Sequence, residues 1–125
     1  MRIAEVVERY GISADTLRYY ERIGLLPHVA RTASGIRDYS EADCSRISFI
    51  KCMRQANVPI EALTTYMRLL DQGDDTLAER KALLEEQRDL IQQRIDEMQA
   101  GLERLTFKID HYDDLMVQAE QTIQG

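Results

Sequence analysis

Residues 13–26, SADTLRYYERIGLL, carry several hydrogen-bonding side chains within a few helical turns. In a helix, Leu17, Tyr20 and Ile23 share one face and point towards a core. The guanidinium and hydroxyl groups then face outward, on Thr16, Arg18, Tyr19 and Arg22. Such donors on a short helix can bind phosphate oxygens and base edges in the major groove of DNA. An ordinary solvated face has the same composition, so this stretch alone leaves both interpretations open.

The thiol of Cys52 is the second group that could do chemistry, because Lys51 and Arg54 flank it. Cationic neighbours favour the thiolate, which is the reactive form of cysteine. A lone helical cysteine is more often a small buried apolar residue, and for Cys44 this interpretation is the stronger one. The two cysteines lie eight residues apart, about 12 Å along a helix, which is too far for an intramolecular disulfide.

An enzyme with Cys52 as its nucleophile is a weaker alternative. Its base would have to be a histidine, and neither His28 nor His111 is close to Cys52 along the chain. Neither cysteine forms a CxxC pair or lies at metal-ligand spacing from a histidine. The sequence therefore predicts no catalytic residue, no metal site and no cofactor.

A helix-turn-helix pattern positions the first group of side chains. Ile3, Val6 and Val7 fall on one side of an amphipathic helix over residues 3–10. Gly11 ends that helix, and the Ser13 hydroxyl provides the N-cap oxygen for the next one.

Residues 29–39 predict a small two-stranded wing. Ser34 and Gly35 lie at its middle between residues of β character, and Gly35 can adopt the positive φ of a tight turn. Arg31 and Arg37 lie on this hairpin. In an isolated surface hairpin they would only be solubilising charges, whereas beside a DNA-reading helix we expect them to bind backbone phosphates.

Capping signals predict three further helices. Ser40 begins the first, with Asp43 three residues on in a loose capping box. Pro59 suits the first position of the second helix. Thr76 and Glu79 predict a capping box for the last one.

The last helix carries an apolar heptad repeat, which is typical of a coiled coil. Its two sevenfold series are Leu84, Ile91, Met98, Leu105 and Tyr112, and Ile95, Leu102, Ile109, Met116 and Ile123. Lys81 and Arg88 occupy early seam positions, so we expect the tight zipper to begin near Leu90 and the first turns to pack on the preceding domain. One narrow seam has no partner within so small a chain, which predicts a homodimer.

Composition and charge limit the alternatives. The 125 residues, 44% of them apolar, allow one compact domain plus an extended element. A net charge of −6 opposes DNA binding, but residues 1–70 carry 10 Lys and Arg against 8 Asp and Glu, and residues 71–125 carry 6 against 14. The acidic half should therefore face away from phosphates. No apolar run approaches transmembrane length and no signal peptide is apparent, which predicts a soluble, cytoplasmic protein.

The order and spacing of AEV, TLRYYERIGLL and SGIRDY resemble the N-terminal DNA-binding domain of the MerR family of transcriptional regulators. The resemblance implies that Arg37 and Tyr39 lie where the wing contacts DNA, and that Lys51 and Arg54 touch the DNA backbone. The DNA-binding residues predicted in this way are Ser13, Thr16, Arg18, Tyr19, Tyr20, Arg31, Arg37, Tyr39, Lys51 and Arg54.

The resemblance also narrows the class of effector that the protein senses. Metal-responsive and iron–sulfur members carry cysteines at the dimer helix and its C-terminal loop, whereas this chain has none after Cys52. The residues after the coiled coil are also too few for the drug-binding domain of the multidrug-responsive members. The stretch FIKCMR is similar to the branch whose lone cysteine responds to aldehydes and other thiol-modifying electrophiles, which implies Cys52 as the effector-sensing residue.

Together these observations predict a mainly α protein with a winged helix-turn-helix DNA-binding domain at residues 1–70. A linker at 71–75 and a coiled-coil dimerisation helix at 76–125 follow. The resemblance implies that a homodimer binds double-stranded promoter DNA, distorts it in response to the effector and so activates RNA polymerase. An effector-independent or noncovalently regulated repressor, and a coiled-coil adaptor that binds no DNA, are the alternatives.

Overall fold

The computed structural model describes residues 1–124, apart from the side chains at positions 115 and 116. Its helices are α1 (Ile3–Tyr10), α2 (Ala14–Arg22), α3 (Glu41–Gln55), α4 (Ile60–Gln72), α5 (Leu77–Asp110) and α6 (Val117–Gln124). A 3₁₀ turn at Asp74–Thr76 precedes α5, and a π-helical turn at Tyr112–Met116 precedes α6. None of the helices described is long and apolar enough to cross a membrane.

The first two helices form the predicted helix-turn-helix. Gly11 ends α1 in the left-handed conformation, with φ +67°, and its N–H donates to the Val7 carbonyl. Ser13 begins α2, because its hydroxyl accepts a hydrogen bond from the Thr16 N–H. Val6 and Leu17 are fully buried where the helices face the core. The exposed side of α2 is therefore fixed by the burial of the opposite side.

The predicted two-stranded wing is wrong in extent. Residues 29–39 form a hairpin with a single antiparallel bridge between Arg31 and Arg37, and no longer strand is formed in the described part of the chain. The bridge is supported by Thr32 N–H to Ile36 carbonyl and Asp38 N–H to Ala30 carbonyl hydrogen bonds. So few ladder bonds give the hairpin little rigidity of its own.

Helices α3 and α4 complete the core of the N-terminal head, residues 1–72. Ser40 and Asp43 form a full capping box at the start of α3, as the sequence predicted. Pro59 lies at the N-cap of α4, one position before the place predicted for it. The fully or almost fully buried side chains of this core are Val6, Leu17, Leu25, Leu26, Val29, Ile47, Ile50, Leu63 and Met67.

The predicted capping box at the start of the last helix is wrong. Thr76 lies in the 3₁₀ turn, where its hydroxyl donates to the Leu69 and Gly73 carbonyls. The same oxygen accepts a hydrogen bond from Nε of Arg80, not from the α5 backbone. Glu79 therefore has no part in a reciprocal cap, and Thr76 instead joins the end of α4 to the first turn of α5.

The last helix is also not continuous over residues 76–125. Helix α5 ends at Asp110, and the π-helical turn separates it from α6. The chain forms two compact units, Met1–Glu85 and a second unit from Glu86 onward. The first unit thus continues past the linker predicted at 71–75 into the first turns of α5. The boundary between functional domains stays a prediction.

Candidate nucleic-acid interface

The exposed side of α2 presents hydroxyl and guanidinium donors near its N-terminus. The Ser13 hydroxyl donates to the Thr16 hydroxyl over 2.8 Å, so the cap and the first turn are locked together. Arg18 is exposed, and one of its terminal nitrogens lies 3.1 Å from the carboxylate of Asp15. This surface ion pair is weak because water screens it, so Arg18 can exchange Asp15 for a phosphate at little cost.

The two tyrosines of α2 differ in exposure. Tyr19 is exposed, and the guanidinium carbon of Arg22 lies 5.3 Å from its ring centre in a cation–π contact. Tyr20 is buried in the core instead. The DNA contact predicted for Tyr20 stays a prediction, but the structure uses its ring for packing and leaves Tyr19 as the exposed aromatic group.

Glu21 connects α2 to the hairpin, and sequence reasoning did not select it. Its side chain is only 7% exposed, and its Oε1 accepts a hydrogen bond of 2.8 Å from Nε of Arg37. Its Oε2 accepts a bond of 3.2 Å from the Val29 N–H and lies 3.4 Å from Nδ1 of His28. Burial alone would raise the pKa of the Glu21 carboxyl, but the hydrogen bonds from Arg37 and Val29 and the charge of Arg37 hold it below its usual range.

The hairpin arginines have different environments. Arg31 is exposed, and its guanidinium donates to the Gly35 carbonyl at the turn. Arg37 is half-buried by its contact with Glu21. The structure therefore places both cations on one hairpin next to α2, but only Arg31 is held solely within the hairpin itself.

Tyr39 belongs to the core rather than to the exposed hairpin surface. It is 3% exposed, and its buried hydroxyl has no hydrogen-bond partner among the described residues. Burial raises the pKa of this hydroxyl, so it stays protonated at neutral pH. The DNA contact implied for Tyr39 stays a prediction, and it would need this buried group to become accessible.

Helix α3 carries the remaining predicted residues. Arg54 donates to the Val58 carbonyl over 2.9 Å and so stabilises the loop between α3 and α4. Lys51 is partly buried, and its ammonium group lies close to Gly11. Cys52 is exposed and Cys44 is buried in the core. Of the two cysteines, Cys52 is the more exposed to a reagent in water.

Comparison with known proteins agrees with this architecture. The family profile "MerR HTH family regulatory protein" matches residues 1–70, and "MerR, DNA binding" matches residues 44–106. The chain belongs to the MerR family. It is therefore a MerR-type transcriptional regulator with a DNA-binding domain, and the relatives below are regulators rather than enzymes.

Individual MerR relatives resemble most of the chain. The transcriptional regulator AdhR of Bacillus subtilis is 52% identical over 91 residues, which are 73% of this chain but 65% of AdhR. The crystal structure of a MerR family regulator from Listeria monocytogenes shares 45% identity and a TM-score of 0.75, covering 99% of this chain and 94% of that one. HiNmlR, described as a MerR family regulator lacking the sensor domain, was solved bound to promoter DNA. It shares 31% identity and a TM-score of 0.68, covering 93% of this chain and 92% of its own.

Proposed function

We propose that this MerR regulator binds double-stranded promoter DNA through the exposed side of α2 and the neighbouring hairpin. The observation that carries the proposal is that Arg18 and Tyr19 are exposed on α2 while Glu21, on the same helix, bonds to the hairpin. A short helix with exposed donors suits the major groove, and flanking cations suit the phosphates. The similarity to HiNmlR, which was solved bound to promoter DNA, supports DNA binding by this chain.

A second copy of the chain is the proposed partner of α5. Apolar side chains repeat along this helix at steps of three and four residues and are 53–76% exposed: Ile95, Met98, Leu102, Leu105 and Ile109. We call them the apolar stripe. So many large apolar groups in water are unfavourable, and a matching stripe on a second copy removes them from it. A dimer also places two reading heads on one pseudo-palindromic operator.

The proposed effector is an electrophile that reacts with the thiol of Cys52. The exposure of Cys52 and the burial of Cys44 support this choice. An aldehyde adds to a thiol without any further reactant: the sulfur bonds to the carbonyl carbon, and the thiol proton ends on the carbonyl oxygen. The product is an uncharged hemithioacetal whose added bulk lies on α3, the helix that packs against both α1 and α4.

Activation by promoter distortion is the proposed output. The family resemblance implies binding between two promoter elements that are too far apart for RNA polymerase, and realignment of these elements by bending and untwisting. Bending of this kind costs on the order of 1–6 kcal/mol, which two linked heads can supply from their contacts.

A gel shift at several salt concentrations, with DNA flanking the regulator's own coding region, tests DNA binding directly. Specific binding that weakens steeply with salt is expected. No binding to any duplex would favour the adaptor function instead. In transcription assays, increased output with the protein still on the operator supports distortion, whereas effector-driven release would identify an ordinary repressor.

A further inference from the structure

We infer that Glu21 is a positioning residue for DNA recognition, and this inference rests on the proposed DNA-binding function. Its carboxylate fixes the hairpin against α2 and orients Arg37 so that the terminal NH groups of that arginine are available to a phosphate. Glu21 itself contacts no DNA in this arrangement.

Glu21 is an acid on the helix proposed to read DNA, where a negative charge is unexpected. A carboxylate near the duplex repels phosphates, and an exposed one would weaken binding. The Glu21 side chain is 7% exposed, and it accepts hydrogen bonds from two donors in the chain segment that follows α2, Nε of Arg37 and the N–H of Val29. Its charge is directed into the protein and is neutralised there by Arg37.

The two carboxylate oxygens of Glu21 accept hydrogen bonds from the two arms of the hairpin. Oε2 accepts from the Val29 N–H, two residues before the bridge at Arg31, and Oε1 accepts from the side chain of Arg37, the other bridge residue. A hairpin with a single bridge does not fix its own orientation. Met1 and the buried side chains of Val29 and Tyr39 hold the base of the hairpin. The carboxylate of Glu21 adds the direct link between α2 and both arms of the hairpin.

The bond to Arg37 uses only Nε. No hydrogen bond from its two terminal nitrogens occurs within the residues that the structure describes, and the side chain is 24% exposed. The guanidinium group is planar and rigid, so fixing Nε fixes the direction of the remaining donors. A phosphate can therefore bind Arg37 without displacing Glu21.

The variant Glu21→Gln separates positioning from simple charge. It keeps the shape of the side chain but replaces one accepting oxygen with an NH₂ group, which opposes either the Val29 N–H or Nε of Arg37. Removing a negative charge near DNA would by itself tighten binding to every duplex. Loss of positioning weakens operator binding instead. We expect operator affinity to fall by about tenfold, while affinity for random duplex DNA is equal or higher.

Asp38→Asn is the control for charge alone, because Asp38 is an exposed acid next to Arg37 and asparagine keeps the Oδ1 acceptor that binds the N-terminal ammonium. Its operator and random-duplex affinities should rise together. Arg37→Lys is a second variant that keeps the charge but loses the planar fork. It should lower the ratio of operator to random-duplex affinity, as Glu21→Gln does, and the double variant should lower it no further than the larger single effect.

Titrations of operator and random duplex at matched salt decide between these outcomes. An unchanged affinity ratio in both Glu21→Gln and Arg37→Lys, with normal wild-type binding, overturns the inference but leaves the proposed function intact. Failure of the wild-type protein to bind any operator overturns both. Retained random-duplex binding shows that the heads of the variants are folded.

Discussion

Glu21 and Arg37 lie 16 positions apart in the chain and are joined by a 2.8 Å hydrogen bond between Oε1 and Nε. The acid belongs to α2 and the base to the hairpin, so opposite charges hold together the two parts of the head proposed to face DNA. Arg37, predicted as a phosphate contact, therefore also has an internal structural partner. Its replacement should affect both the contact and the hairpin orientation.

Arginine contacts on the head should be visible in the salt dependence of binding. Arg18→Ala removes an exposed cation, so we expect weaker operator binding and a salt slope reduced by about 1 if Arg18 binds only a phosphate. Arg104→Ala is the control, because Arg104 is an exposed cation of α5 outside the predicted seam. Equal slopes for both variants in fluorescence anisotropy would contradict the docking of α2.

Dimerisation should depend on the apolar stripe. Leu102→Glu places a charge among apolar groups, so we expect mainly monomer and loss of specific operator binding. Gln93→Glu, at an exposed polar position of the same helix, should remain dimeric. Deleting residues 90–125 should act like Leu102→Glu. Analytical ultracentrifugation gives the mass, and a truncated monomer that bound the operator as tightly as the intact chain would refute the dimer.

The two cysteines provide a matched pair for the sensing proposal. Cys52→Ser removes the exposed nucleophile while keeping its size, so it should bind the operator normally but fail to respond to an aldehyde. Cys44→Ser should respond like the wild type, although a hydroxyl in the core lowers its stability. Mass spectrometry should locate the adduct at Cys52. A full transcriptional response in Cys52→Ser would shift the search to a noncovalent pocket.

Acid should weaken the link between α2 and the hairpin. The pKa of Glu21 is lower in the folded protein than its ordinary value of 4.5. Its stabilising contribution is therefore fully present above about pH 4.5 and is lost as the pH falls through the lower folded pKa. The difference in unfolding free energy between wild type and Glu21→Gln should shrink over that range. A constant difference down to about pH 2 would contradict the assignment.

Two glycines should respond to alanine with opposite signs. Gly11→Ala forces a Cβ into the left-handed region, which destabilises the fold by about 1–2 kcal/mol. Gly101→Ala lies inside α5, where an added Cβ meets nothing within 4 Å, and should stabilise the helix by about 1 kcal/mol. Thermal unfolding followed by circular dichroism measures both changes. Destabilisation of the dimer by Gly101→Ala would show that the partner helix approaches closely at this point.

Local signals predicted the helices of the head well. Gly11, Ser13 and Ser40 act through bonds to neighbouring residues, so their roles can be read from short windows of sequence. Thr76 was misassigned because its hydroxyl bonds to the carbonyl of Leu69, seven residues back, and such a competing partner leaves no local pattern. Capping motifs thus predict helix starts only where no earlier segment offers the same oxygen a partner.

The inward position of Glu21 can be predicted from the sequence, but its hydrogen-bond partner cannot. Glu21 lies four residues after Leu17, so helical spacing places it on the inward face of α2, where an acid needs a donor. The identity of that donor depends on how the chain returns after α2, which spacing cannot give. The burial of Tyr39 and the exposure of Cys52 depend on tertiary packing in the same way. The chemistry of these groups was predictable, but their accessibility was not.

The π-helical turn at Tyr112–Met116 changes how the heptad repeat should be counted. A π turn contains one residue more per hydrogen-bonded loop than an α turn, and each extra residue rotates all later side chains by about 100° around the helix axis. Ile123 is seven-spaced with the apolar stripe in sequence, but we expect such a phase shift to place it off the line of the stripe. Backbone winding, rather than apolar spacing, therefore sets where a partner helix can stop following α5.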